Sequence, residues 1–182
     1  MPRNYHHGDL RAALIAASFE VLASGGLQKF SVAAVARRLG VSSAAPYRHF
    51  PDRQHLLSAV SAVAARDLRL ALASCESLPE FAGEYVRYVA RTGAGFPIIF
   101  AAELYEIADD ERREETRALM STLLGFGAGS SHWEDMLLLE ATTAVAHGYT
   151  SLFADGFFAR NGSTVDDIAA RAVEAAKALT PH

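Results

Sequence analysis

The 182-residue chain contains one cysteine, one tryptophan and only two lysines, and the cysteine count removes a class of protein. Cys75 alone forms no internal disulfide, so the chain is not a disulfide-stapled module, and its neighbours Leu70, Leu72 and Leu78 mark it as a small buried hydrophobe. No run approaches the roughly 18 uncharged apolar residues of a membrane span. The start, "MPRNYHHGDLR", lacks the apolar core of a signal peptide, so the protein is expected in the cytoplasm and away from the membrane. No Glu-x-x-His occurs, the pattern from which helical carboxylate metal bundles are built. His6, His7 and Asp9 have no companion ligands at metal spacing. An enzyme or metal bundle is therefore the weaker alternative, although Glu103, Glu106 and the run "DDERREE" supply carboxylates. That run reads more simply as a solvated helix start, and no metal or cofactor is implied.

What is present is alanine and leucine. A hydrophobic share of 51% and a mean hydropathy of +0.10 suit a compact all-helical protein with small residues at helix contacts. The net charge of −4 conceals an asymmetry. Residues 1 to 56 carry seven basic and three acidic groups, whereas the rest carry ten basic and eighteen acidic. A basic end on an acidic body points to polyanion contact at that end alone.

Along the chain, Asp9 is placed to cap a helix from Leu10, whose Leu14, Ala17 and Val21 share one face until Gly25-Gly26. Ser31 opens a second short helix with Val32, Val35, Ala36 and Leu39 inward, ended by Gly40. Leu27 and Phe30 lie between the two, placed to seal the junction. In "GVSSAAPYRHFPDR", Gly40 to Arg53, Ser42 or Ser43 can cap a third helix. With Ser43 as cap, Pro46 is its third residue, where no intrahelical bond is lost. Pro51-Asp52 then ends it and caps a long helix of about seven turns running to Pro79. Further helices are expected near 80–93, 97–107, 110–124, Trp133 to Phe158 and Ser163 to Leu179, with a flexible loop over 125–132. In the last helix Val165, Ile168, Ala169, Ala172, Ala176 and Leu179 form a small-residue stripe for close helix packing.

Two short helices joined by a glycine turn, the second opening with small polar residues and ending in "YRHF", fit a helix-turn-helix unit. Ser31 to Phe50, with "PDR" and a leucine-bearing helix after it, resembles the DNA-binding motif of the TetR family of bacterial transcriptional regulators. The likeness covers about residues 5 to 60. It implies an all-α protein of about nine helices. A three-helix, homeodomain-like DNA-binding domain would occupy 1–55, and a helical effector-binding and dimerisation domain 56–182. It also implies a homodimer through the last two helices, operator DNA as partner, and repression relieved by a small-molecule effector. "AHGYTSLFADG", around His147, resembles a His-Gly element of one TetR subgroup, with Thr143 where that subgroup commonly has tryptophan.

The residue chemistry supports a DNA contact independently. Ser42, Ser43, Ala44 and Ala45 permit close approach to base edges, while Arg48 has the reach for guanine or phosphate. Tyr47 and His49 bracket it as donors to phosphate, and the resemblance makes Tyr47, His49 and Arg53 backbone contacts. Arg53 opposes the dipole at a helix start unless an anion lies nearby, and a phosphate would supply that anion. Lys29, Ser31 and Ala33 stand at the start of the second helix, another place where backbone amides meet phosphate. Arg3 and the "YHH" arm are candidates for a minor groove. In the body, Tyr85, Tyr88, Phe96, Phe100, Tyr105, Met120, Phe126 and His147 are candidate effector-pocket residues, although aromatics at helical spacing are more often core than ligand wall. Control by a protein partner in place of a small molecule stays open.

Overall fold

The computed structural model describes residues 10–127 and 131–179. Asp9, Arg3 and the "YHH" arm lie outside them. Among the described residues every regular element is helical: α1 (Leu10–Lys29), α2 (Val32–Leu39), α3 (Arg53–Ala71), α4 (Leu78–Thr92), α5 (Phe96–Ile99), α6 (Asp110–Leu124), α7 (His132–Ala154) and α8 (Val165–Lys177). Short 3₁₀ turns cover Pro46–Arg48, Leu72–Ser74, Ala102–Leu104 and Ala159–Asn161.

The chain forms two compact units. The first comprises residues up to Ala64 together with Thr92–Arg113, and the second comprises Ala65–Arg91 and the residues from Glu114 onward. In the first, α1 packs on α2 and on the Pro46–Arg48 turn, with Leu14, Leu22, Phe30, Val35, Phe50, Leu56 and Leu57 buried. By length and composition α1 would suffice to cross a membrane, yet its apolar face is this unit's core and Gly26, at φ 65° and ψ −174°, breaks it. The glycine pair thus ends the regular helix as expected, with one more turn following to Lys29. Ser31 caps α2 by accepting from Ala34 N at 3.1 Å, and Gly40 ends it in the left-handed region at φ 69°.

Residues 92–113 belong to this unit through specific bonds. Inside the core the Ser61 hydroxyl donates to the Ile99 carbonyl at 2.7 Å, and Ser58 donates to Asp109 at 2.7 Å. The buried Arg112 donates from Nη2 to the Leu104 carbonyl at 2.8 Å. Gly93, at φ 68°, lies so close to α1 that a Cβ there would fall 2.4 Å from Ala23 N. Only glycine meets both conditions.

In the second unit Leu68, Leu72, Phe81, Tyr85, Tyr88, Leu119 and Leu139 are buried, and α7 packs on α8. The small-residue stripe is consumed here: Ile168, Ala169, Ala172 and Ala176 are buried within the chain. Three expected boundaries are corrected. The long helix stops at Ala71, where a 3₁₀ turn and an extended Cys75 follow, so it has 19 residues and Pro79 falls in the first turn of α4. Proline suits that turn because its missing N–H would have had no partner there. The expected helix 97–107 splits into α5 and a 3₁₀ turn, because Phe100 (φ −113°, ψ 33°) and Ala101 (ψ 123°) leave helical geometry. α7 ends at Ala154, with Ser131 capping its start by accepting from Glu134 N. Cys75 is half-buried, and burial pushes its thiol pKa up.

Replacing Gly93 with Ala should lower unfolding stability by about 2–4 kcal/mol, through left-handed strain plus the clash with α1. Chemical denaturation checks this. An unchanged midpoint would show that the segment is not pressed against α1.

Candidate nucleic-acid interface

The segment expected to be a third α-helix is built from two tight turns. Ala45 N donates to the Ser42 carbonyl at 3.0 Å, and the 3₁₀ turn Pro46–Arg48 follows with no side-chain cap. Pro46 is therefore the first residue of a single turn and not the third of an α-helix, and neither serine caps it. The bonds that close it run from His49 N and Phe50 N to the Pro46 carbonyl, at 2.9 and 3.0 Å. A proline oxygen accepts both, so its missing N–H costs nothing.

This turn sorts its side chains by packing. Pro46 and Phe50 are buried, and between them Tyr47, Arg48 and His49 are exposed, Tyr47 by 55%. Ser42, Ser43 and Ala44 are exposed before the turn and Ala45 is half-buried. Lys29 and Ala33 are exposed near the start of α2, where Ser31 is occupied as cap. The first unit thus brings a tyrosine, a histidine, an arginine and small residues onto one short outward turn.

Arg53 departs from expectation. The anion that its position requires is supplied from within the chain: Nη1 donates to Glu103 at 2.5 Å, and Nε donates to the Phe30 carbonyl at 3.2 Å. The guanidinium also lies 5.5 Å from the Phe30 ring centroid. Asp52 caps α3 by accepting from His55 N at 2.9 Å. That bond, reinforced by the His55 ring, holds its carboxyl below the usual carboxylate range. Sequence reasoning passed over Arg11, whose guanidinium lies 5.4 Å from the Phe50 ring centroid and so adds a cation beside the outward turn. The signal was available only as a charge opposite an aromatic distant in sequence. Arg38 is paired with Glu20.

The effector candidates divide between the units. Phe96, Phe100 and Tyr105 lie in the first, where Phe96 and Phe100 meet edge to face at 5.2 Å and Tyr105 is 63% exposed. Tyr85, Tyr88, Met120, Phe126 and His147 lie in the second. There the buried Tyr85 places its hydroxyl 3.4 Å from His147 Nδ1 and its ring against Phe81 at 5.8 Å.

Comparison with known proteins fits this geometry. Residues 14–60 match the model of bacterial regulatory proteins of the TetR family. Over that stretch the chain carries a TetR-family DNA-binding domain. Solved structures extend the likeness over nearly the whole chain. One is a Rhodococcus sp. RHA1 protein of unknown function, 26% identical over 96% of both chains with a TM-score of 0.67. Another is a TetR-family transcriptional regulator from Streptomyces coelicolor, 18% identical, covering 96% of this chain and 82% of that one, TM-score 0.65. A third is the multidrug binding protein EbrR complexed with ethidium, 20% identical, covering 96% of this chain and all of the other, TM-score 0.54. No curated protein matches the sequence. The match supports DNA binding through a helix-turn-helix domain, and helical elements follow it through the described residues.

The lowered pKa of Asp52 predicts a pH effect. An unfolded Asp titrates near about 3.9, so the Asp52 contribution is present above that pH and is lost as pH falls through its lower folded value. Asp52→Asn should flatten the acid limb of an unfolding curve measured between neutral pH and about pH 3. An unchanged acid limb would show that the carboxylate does not stabilise α3.

Proposed function

We propose that the protein is a repressor that binds operator DNA as a homodimer and is released by a small-molecule effector. The observation that carries the DNA reading is the sorting of the 46–50 turn, in which burial of Pro46 and Phe50 leaves Tyr47, Arg48 and His49 facing outward. Arg48 reads a base edge or a phosphate, and Tyr47 and His49 donate to phosphate oxygens. Arg53, Lys29 and the amides of the α2 start add backbone contacts, with Ser42, Ser43, Ala33, Ala44 and Ala45 giving clearance.

The effector reading draws on the second unit. There the buried Tyr85 brings its hydroxyl 3.4 Å from His147 Nδ1, so a phenol and an imidazole, both able to bond a polar ligand, stand together. Tyr85 and His147 are the residues on which we base this site; Tyr88, Met120 and Phe126 share their unit. The fold relative holding ethidium makes a small apolar cation one class to try first. α3, α4 and α6 each contribute residues to both units, and through such continuous elements ligand binding would shift the spacing of two recognition turns. Those turns must match major grooves about 34–36 Å apart, and a coupling of about 1–3 kcal/mol changes affinity roughly 5- to 150-fold.

Dimerisation falls to α7 and α8. Since the alanine stripe of α8 is already buried, the exposed Leu137 and Leu152 of α7 and the shallow depression lined by Tyr149, Ala170, Arg171, Glu174 and Ala175 supply the face. Sedimentation should give a dimer at micromolar concentration, and Leu152→Glu should give a monomer. A dimer that survives the change would place the interface elsewhere.

Arg48→Ala should relax base preference at one position of each half-site by about 1–3 kcal/mol. Tyr47→Phe should weaken all sequences equally. Binding measured against a selected duplex and its single-base variants separates the two, and wild-type discrimination in Arg48→Ala would remove Arg48 from base reading.

A further inference from the structure

Arg53 and Glu103 are each only about one-third exposed, at 33% and 34% of the side chain, so they differ from two long side chains meeting in solvent. The guanidinium is fixed on two further sides, by the Phe30 carbonyl and the Phe30 ring. Glu103 is fixed too. Its backbone carbonyl accepts from the Gln54 amide at 3.4 Å, so residue 103 meets the first turn of α3 with main chain as well as side chain. The strap that carries it is fastened at Gly93 against α1 and by the Ser61–Ile99 and Ser58–Asp109 bonds along α3.

A phosphate oxygen and the Glu103 carboxylate have the same charge and seek the same donors. We propose that Glu103 is a built-in competitor of the DNA backbone: it holds Arg53 in the free protein, and DNA must take the guanidinium from it. The inference rests on Arg53 being a phosphate contact. With Glu103 in place the pair is neutral, and an approaching phosphate meets the carboxylate's repulsion along with the guanidinium's attraction. Without that charge, Arg53 keeps its Phe30 contacts and presents an uncompensated cation at the same spot. The DNA affinity of the protein is thereby set below what its basic residues alone would give.

The test needs no operator, because phosphate contacts are indifferent to sequence. Binding of full-length protein to a random-sequence duplex is measured by fluorescence anisotropy across a salt series. The proteins compared are wild type, Glu103→Gln, Arg53→Ala and the double variant. Glu103→Gln should tighten binding about fivefold and steepen the log–log salt slope by about one. Arg53→Ala should weaken binding, and in its background the Glu103 change should have no effect. If Glu103→Gln weakens binding or leaves it unchanged while Arg53→Ala weakens it, the competition is overturned and the Arg53 contact stands. If Arg53→Ala binds like wild type, the phosphate contact itself fails and the proposal with it. Gln keeps an acceptor for Arg53, so the unfolding midpoint should hold; Glu103→Ala serves the same comparison if it does not.

Discussion

The burial of Pro46 and Phe50 at the two ends of one 3₁₀ turn is the constraint on which the outward face of the first unit depends. Three residues cannot all point inward when the residues before and after them are fixed in the core, so Tyr47, Arg48 and His49 are left outside. The anchors need a floor, and α1 and α2 supply it. Leu14, Val35 and Phe30 are buried in the same unit, Gly26 and Gly40 end their helices in the required places, and Ser31 fixes the entry of α2. Each of these is a local choice of residue whose consequence is the orientation of a turn elsewhere.

The same unit is assembled from separate stretches of chain. Its second stretch, Thr92–Arg113, is held by hydroxyl-to-carbonyl and hydroxyl-to-carboxylate bonds on the face of α3 and by a glycine contact with α1. Buried polar bonds of this kind are costly to leave unmade, which ties the position of the stretch to that of α3. α3 also begins directly after the outward turn, with Asp52 at its cap and Arg53 as its first residue. The charge that would unsettle a helix start is balanced by Glu103.

Local signals were legible in the sequence. Ser31, Gly40 and Asp52 act as caps where the pattern places them, and Leu14, Ala17, Val21, Val32, Val35 and Ala36 are buried as their spacing predicts, with Leu39 half-buried. What failed were readings that depended on partners remote in sequence. Pro79 looks like a helix stop but begins one, because the preceding helix had already ended at Ala71 and proline is equally at home in a first turn. By contrast, the small-residue stripe of α8, expected to pack closely on another helix, is buried within the chain, where α8 packs on α7. Arg53 called for an anion, and nothing in the local pattern named Glu103, fifty residues on. Arg11 beside Phe50 was hidden for the same reason.

The central claim, that the outward turn at 46–50 reads operator DNA as one half of a symmetric pair, is tested most directly by a protection footprint. The fragment to use is one selected from the source genome by the purified protein. The account predicts a pseudo-palindromic site whose two half-sites are centred about 10–10.5 base pairs apart, or a multiple of that spacing, with protection lost at the bases facing Arg48 when that residue is replaced. Capture of fragments with no shared sequence, or protection of a single unrepeated element, would contradict it.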